Sequence, residues 1–249
     1  MKMVAMRQFL WALLLGWYGA NIQAADTGFL NKTYKDKDGK EIPYVLFVPH
    51  DYKGDKPTPV LLFLHGAGET KPPADAKGKP KMPVEVGIGP AIKKREKTFP
   101  FITIIPQAQT RGWQYEGPNA KMALGMLEAV NKEYKTDAKR TYLSGLSMGG
   151  YGTWSIAAAT PDKWAAIVPI CGGGDPKNAA KLKDIPCWCF HGDKDTAVPV
   201  ERSRDMIEAL KKVGATPKYT EYPGVAHNSW DKAYDTNELY DWLLKQTKK

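Results

Sequence analysis

At 249 residues, 43% hydrophobic and 25% charged, the chain has the apolar content of one sizeable folded domain and too much of it for a disordered or low-complexity protein. The formal net charge is +9, but the lysines are scattered and no nucleic-acid-binding motif accompanies them, so nucleic acid is not an expected partner. The four histidines and three cysteines never fall at zinc-ligand spacing, and no metal or organic cofactor is expected.

The chain opens with Lys2 and Arg7, then an apolar run, F-L-W-A-L-L-L-G-W-Y, at positions 9–18. No acid occurs before Asp26, and small residues follow at Ala24-Ala25. This is the layout of a secretory signal peptide over residues 1–24, followed by a single domain over residues 25–249. The run is shorter than the roughly 20 residues of a membrane span, so no stable span is expected after cleavage. Losing Lys2 and Arg7 takes the charge from +9 to +7. The expected location is periplasmic or secreted.

Strand-like runs then recur at Pro43–Pro49, Val60–Leu64, Phe101–Ile105, Thr141–Leu143, Ala165–Ile170, Cys187–Phe190 and Lys218–Tyr222. Several are continuously apolar, as strands buried on both faces of a parallel sheet must be. Helical spacing appears between them. Asn119–Tyr134 places Met122, Met126, Leu127 and Val130 on one side, with Asn119 as the expected cap. Further helices are expected over Gly149–Thr160, Val200–Val213 and Leu239–Gln246. Alternation of this kind predicts an α/β fold with a mostly parallel central sheet flanked by helices, the early strands forming an antiparallel edge. Lys71–Pro83, rich in Lys, Pro and Gly, reads as an exposed loop. Cys171, Cys187 and Cys189 are an odd number; buried thiols are expected, with a bridge from Cys171 to one of the other two as the alternative.

Residues 143–152, L-S-G-L-S-M-G-G-Y-G, contain G-x-S-x-G between an expected strand and an expected helix. Glycine weakens both elements and is cheap where backbone must bend sharply or pack closely. The context is that of a nucleophile elbow, with Ser147 at its tip. A serine nucleophile needs a base, and the base an orienting acid, in the chain order Ser, acid, His. His50 and His65 precede Ser147, and His191 leaves no convincing acid between. His227, in G-V-A-H-N-S-W, remains as the base. Asp195, in H-G-D-K-D, is favoured as the acid over Asp193 and over Asp175. The oxyanion donors are expected to be the N–H of Met148 and, from the L-H-G-A-G-E turn, that of Ala67.

The stretches L-H-G-A-G-E, S-G-L-S-M-G-G-Y-G-T-W, V-P-I-C-G-G-G-D, F-H-G-D-K-D-T-A-V-P and Y-P-G-V-A-H-N-S-W resemble the α/β-hydrolase superfamily. They look most like its secreted bacterial carboxylesterases, often labelled predicted peptidases, related to the dienelactone-hydrolase, phospholipase/carboxylesterase and feruloyl-esterase groups. The resemblance implies a serine carboxylesterase with Ser147, Asp195 and His227 as triad and Ala67 and Met148 as oxyanion donors. It implies short-chain acyl esters as substrates, among them acetyl or feruloyl esters of polysaccharides. A serine peptidase of the prolyl-oligopeptidase type is the alternative. No long insertion follows the sixth expected strand, so no large cap domain is expected. Trp113, Tyr115, Tyr151 and Trp230 lie in segments that approach an open cleft and are candidates for stacking on substrate. Glu69 and Gln114 are candidates for hydrogen bonds to it.

Overall fold

The computed structural model describes residues 26–71 and 82–248. The signal-peptide expectation and most of the Lys71–Pro83 stretch lie outside them. Eight strands form one sheet: β1 (Gly28–Lys35), β2 (Glu41–Val48), β3 (Thr58–Leu64), β4 (Ile102–Pro106), β5 (Thr136–Leu146), β6 (Ala166–Ile170), β7 (Trp188–Gly192) and β8 (Lys218–Tyr222), in the order β1-β2-β4-β3-β5-β6-β7-β8. The pairs β1/β2 and β2/β4 are antiparallel, and every later pair is parallel. The expected antiparallel edge is therefore present.

β3 shows why its run is continuously apolar. Val60, Leu62 and Leu64 enter the core on one face of the sheet. Leu61 and Phe63 enter the core on the other. Strand side chains alternate between faces, so a strand covered on both sides has no polar position to spare. The first core is closed by α2 (Pro118–Glu133), α3 (Met148–Ala159), α4 (Ala179–Leu182) and α5 (Glu201–Lys212), through residues such as Met126, Val130, Ile156, Leu182, Ile207 and Leu210. The second is closed by α1 (Ile88–Lys94), α6 (Ser229–Asp235) and α7 (Asn237–Leu244), through Ile88, Ile92, Tyr234, Leu239 and Leu243.

Two details differ from the sequence-based expectations. β1 is a strand where none was expected: its far end alternates half-buried and exposed, because an edge strand is covered on one face only. Asn119 does not cap α2. Gly117 is the N-cap and Pro118 the first helical residue, where the missing proline N–H costs nothing. Asn119 instead turns inward. Its Nδ2 donates to the carbonyls of Thr110 and Gly112, and its Oδ1 accepts from the Gln109 N–H, so it ties down the loop before the helix. Cys171, Cys187 and Cys189 are all free and buried, as expected, which removes the disulfide alternative.

Candidate active site

β5 runs straight into α3, and Ser147 is the joint. Its backbone sits at φ 53°, ψ −116°, a left-handed position that a residue with a Cβ adopts only under strain. Two bonds hold it there: the Ser147 N–H donates to the Ile170 carbonyl of β6 at 2.9 Å, and the Tyr151 N–H donates to the Ser147 carbonyl at 3.0 Å. The flanking glycines make the joint possible. A Cβ on Gly149 would collide with the Leu64 carbonyl at the end of β3, and one on Gly145 with the carbonyls of Gly149 and Leu64. The sharp turn lifts Ser147 half out of the surface at the C-terminal ends of the parallel strands. The first turn of α3 lies directly behind it.

His227 lies in the loop between β8 and α6. Its Nε2 is 2.9 Å from Ser147 Oγ, and its Nδ1 is 2.7 Å from Asp195 Oδ2. The loop after β7 carries Asp195, whose side chain is fully buried. The backbone N–H groups of Ala197 and Val198 donate to Oδ1 at 2.9 and 2.8 Å. With Nδ1 donating to the carboxylate, Nε2 is left as an acceptor facing the serine hydroxyl. Trp230 stands edge-on to the His227 ring at 5.2 Å. The competing acids lie elsewhere. Asp193 accepts from the Gly224 N–H at 2.7 Å, and exposed Asp175 accepts from the Lys177 N–H at 3.0 Å, capping a short helical turn.

The L-H-G-A-G-E turn leaves β3 beside the elbow. A Cβ on Gly66 would come within 3.8 Å of Ser147 Cβ and closer still to Leu146, so the turn packs against the serine only because position 66 is glycine. Ala67 follows at the start of a short 3-10 turn, and Met148 opens α3. Both are partly exposed, and Met148 directly follows Ser147. Two residues that the sequence reading passed over hold this region. His65 is fully buried; its Nδ1 donates to the Gly66 carbonyl at 2.6 Å, and its Nε2 accepts from the Ala108 N–H at 2.9 Å. Burial lowers its pKa to about 4, so it stays neutral. The other is His191 on β7, also fully buried, which touches Asp195 Oδ2 through Nε2 at 3.1 Å. Its position two residues before Asp193, in H-G-D-K-D, was the available signal.

The expected substrate contacts divide. Trp113 is not in the cleft. It is completely buried, donates from Nε1 to the His65 carbonyl at 3.0 Å and packs against Gly152, supporting the L-H-G-A-G-E turn from below. Glu69 is also buried, with Oε2 against Gly66, and so stands behind the turn rather than in front of it. Tyr115 is half-buried, with its N–H donated to Ser155 Oγ. Tyr151 and Gln114 do line an open cleft of about 310 Å³. It begins one helical turn along α3 from Ser147 and follows the helix past Ser155 towards Asp175, Asn178 and Lys181.

Among the described residues, one group of three His, Cys, Asp or Glu side chains is close enough together to hold a metal: Cys171, Asp195 and His227, with ligand atoms within 4.8 Å. Two of its members are already engaged with each other and with Ser147. Burial pushes the Cys171 thiol far up, away from the thiolate that a metal requires.

Sheet order and helix placement define an α/β-hydrolase fold. Residues 86–238 match the Dienelactone hydrolase family, and the chain belongs to that family. A solved thermostable esterase superposes with a TM-score of 0.78 at 34% identity, covering 88% of this chain and 63% of that one. Two curated relatives are similar in sequence. The bifunctional acetylxylan esterase/xylanase XynS20E of Neocallimastix patriciarum is 29% identical over 112 residues, which are 43% of this chain and 16% of the relative. The probable feruloyl esterase C of Aspergillus niger is 22% identical over 202 residues, 78% of this chain and 70% of the relative. The chain thus spans under two thirds of the thermostable esterase and a small part of the xylan-degrading relative.

Proposed function

We propose that this protein is an exported serine carboxylesterase acting on short-chain acyl esters, including acetyl or feruloyl groups carried by polysaccharides. The observation that carries the reading is the relay from Asp195 through His227 to Ser147, at 2.7 and 2.9 Å, ending on a strained elbow. His227 takes the Ser147 proton as Oγ attacks the ester carbonyl. The developing oxyanion is met by the N–H groups of Ala67 and Met148, the latter at the N-terminus of α3, where the helix dipole also favours negative charge. His227 returns the proton to the departing alcohol, leaving an acyl group on Ser147. It then activates water to release the acid. Asp195 holds the imidazole tautomer and stabilises the imidazolium.

The substrate class is supported by the cleft that begins one helical turn along α3 from Ser147. Its amide, hydroxyl, carboxylate and ammonium groups, with the Tyr151 ring, suit a polyhydroxylated leaving group rather than a long acyl chain. Export is supported by the sequence layout of residues 1–24. No helix among the described residues is long and apolar enough to cross a membrane.

The test uses purified mature protein with p-nitrophenyl acetate, butyrate and octanoate, methyl ferulate, acetylated xylan and a peptide p-nitroanilide. Short esters are expected to turn over, and Ser147→Ala is expected to reduce kcat by at least about 10³-fold. Turnover of the anilide without the esters would replace this reading with a peptidase.

A further inference from the structure

His191 lies outside the proposed relay, yet every polar atom of its buried ring is engaged. Nε2 faces two acceptors, Asp195 Oδ2 at 3.1 Å and the Val198 carbonyl at 2.9 Å, so Nε2 carries the proton. Nδ1 lies 2.7 Å from Ser203 Oγ on α5. That hydroxyl also contacts the Gly172 carbonyl at 3.0 Å and Cys189 Sγ at 3.3 Å. Burial lowers the His191 pKa and keeps the ring neutral.

The carboxylate of Asp195 needs this partner. Its Oδ1 is fixed by two backbone N–H groups of its own loop. Bonds at one oxygen leave the group free to turn, and the partner on the other side, His227, sits on a half-exposed loop. His191 supplies the missing point from the rigid side, the sheet. We propose that His191 is a positioning residue for the acid of this site: its Nε2–H, shared between the Val198 carbonyl and Asp195 Oδ2, holds the carboxylate against the fixed loop in the orientation that presents Oδ2 to His227. A chain of contacts then runs from α5 through Ser203, His191, Asp195 and His227 to Ser147. The inference rests on the serine esterase reading above.

Two substitutions separate positioning from packing. In His191→Gln the side-chain amide reaches the place of Nε2 and restores a donor to Asp195. In His191→Asn the amide reaches only the place of Nδ1, beside Ser203. With p-nitrophenyl acetate, His191→Asn is expected to lower kcat by about 10-fold or more with KM nearly unchanged, and His191→Gln to remain within about 3-fold of the wild type. A packing role would follow side-chain volume, so His191→Leu, about as large as the imidazole but without a donor, is the control. Its kcat is expected to fall with that of His191→Asn, and kcat in His191→Leu or His191→Asn equal to that in His191→Gln overturns the inference. If circular dichroism shows that neither variant folds, Ser203→Ala decides: a several-fold fall in kcat at constant KM is expected, and an unchanged kcat overturns it. A wild type inactive on every ester would retire the esterase reading itself; an active wild type with indifferent position-191 variants would retire the positioning role alone.

Discussion

Acidification from pH 7.5 to 5.0 reads out the state of His65. An exposed imidazole titrates near 6.5, whereas His65 in the folded chain titrates at about 4. Between those values the unfolded chain binds a proton that the folded chain excludes, so stability falls as the pH falls. At pH 5.0 the unfolded ring is almost fully protonated and the folded one is about one-tenth protonated, a difference worth about 2 kcal/mol. Protonation would also place a second N–H against the Ala108 N–H that now donates to Nε2. The assay is urea unfolding of wild type and His65→Gln at both pH values. Other groups titrate equally in both proteins, so the difference between the two pH dependences isolates His65. The wild type is expected to lose about 2 kcal/mol more than the variant. Parallel pH dependences would refute the argument that the turn after β3 is latched by a neutral histidine.

Other outcomes follow from the same geometry. Asp195→Asn should lower kcat by about 10³- to 10⁴-fold by presenting the wrong partner to His227 Nδ1, while Asp193→Asn, which loses only a turn bond to Gly224, should stay within about 3-fold. Gly149→Ala forces a Cβ into the Leu64 carbonyl and should cost more than about 3 kcal/mol of stability, measured by thermal or urea unfolding. A thiol reagent should react slowly with the native protein and rapidly, with three thiols per chain, after denaturation, because all three cysteines are free and buried. Fast labelling of one thiol in the native state would contradict that burial.

Much of the fold is legible in the sequence for a simple reason. Strands covered on both faces are apolar almost throughout, and β3, β4 and β6 advertise themselves as V-L-L-F-L, I-T-I-I-P and A-I-V-P-I. The elbow is legible because glycines around one serine between a strand and a helix mark backbone meeting backbone, and at 145 and 149 a Cβ would collide with it. Chain order, with the want of a convincing acid before His191, then sorts the four histidines and leaves His227 as the expected base. The edge strand β1 is not legible, since half its positions face outward and carry no consistent signal.

What only the tertiary structure decides is which side of a wall a residue stands on. Trp113 and Glu69 are near Ser147 in the fold, as their segments suggest, but the packing of Trp113 on Gly152 and of Glu69 on Gly66 turns both away from the cleft. The choice between Asp193 and Asp195 likewise depends on which side of the turn after β7 faces His227, something two acids two residues apart do not reveal. His65 was set aside by chain order and His191 for want of a convincing acid before it, and their places beneath the turn after β3 and beside Asp195 appear only once β3 and β7 lie in one sheet. Local sequence dictates where the backbone bends and which strands are buried. The directions of side chains at the strand ends depend on neighbours distant in sequence, and those directions define the site.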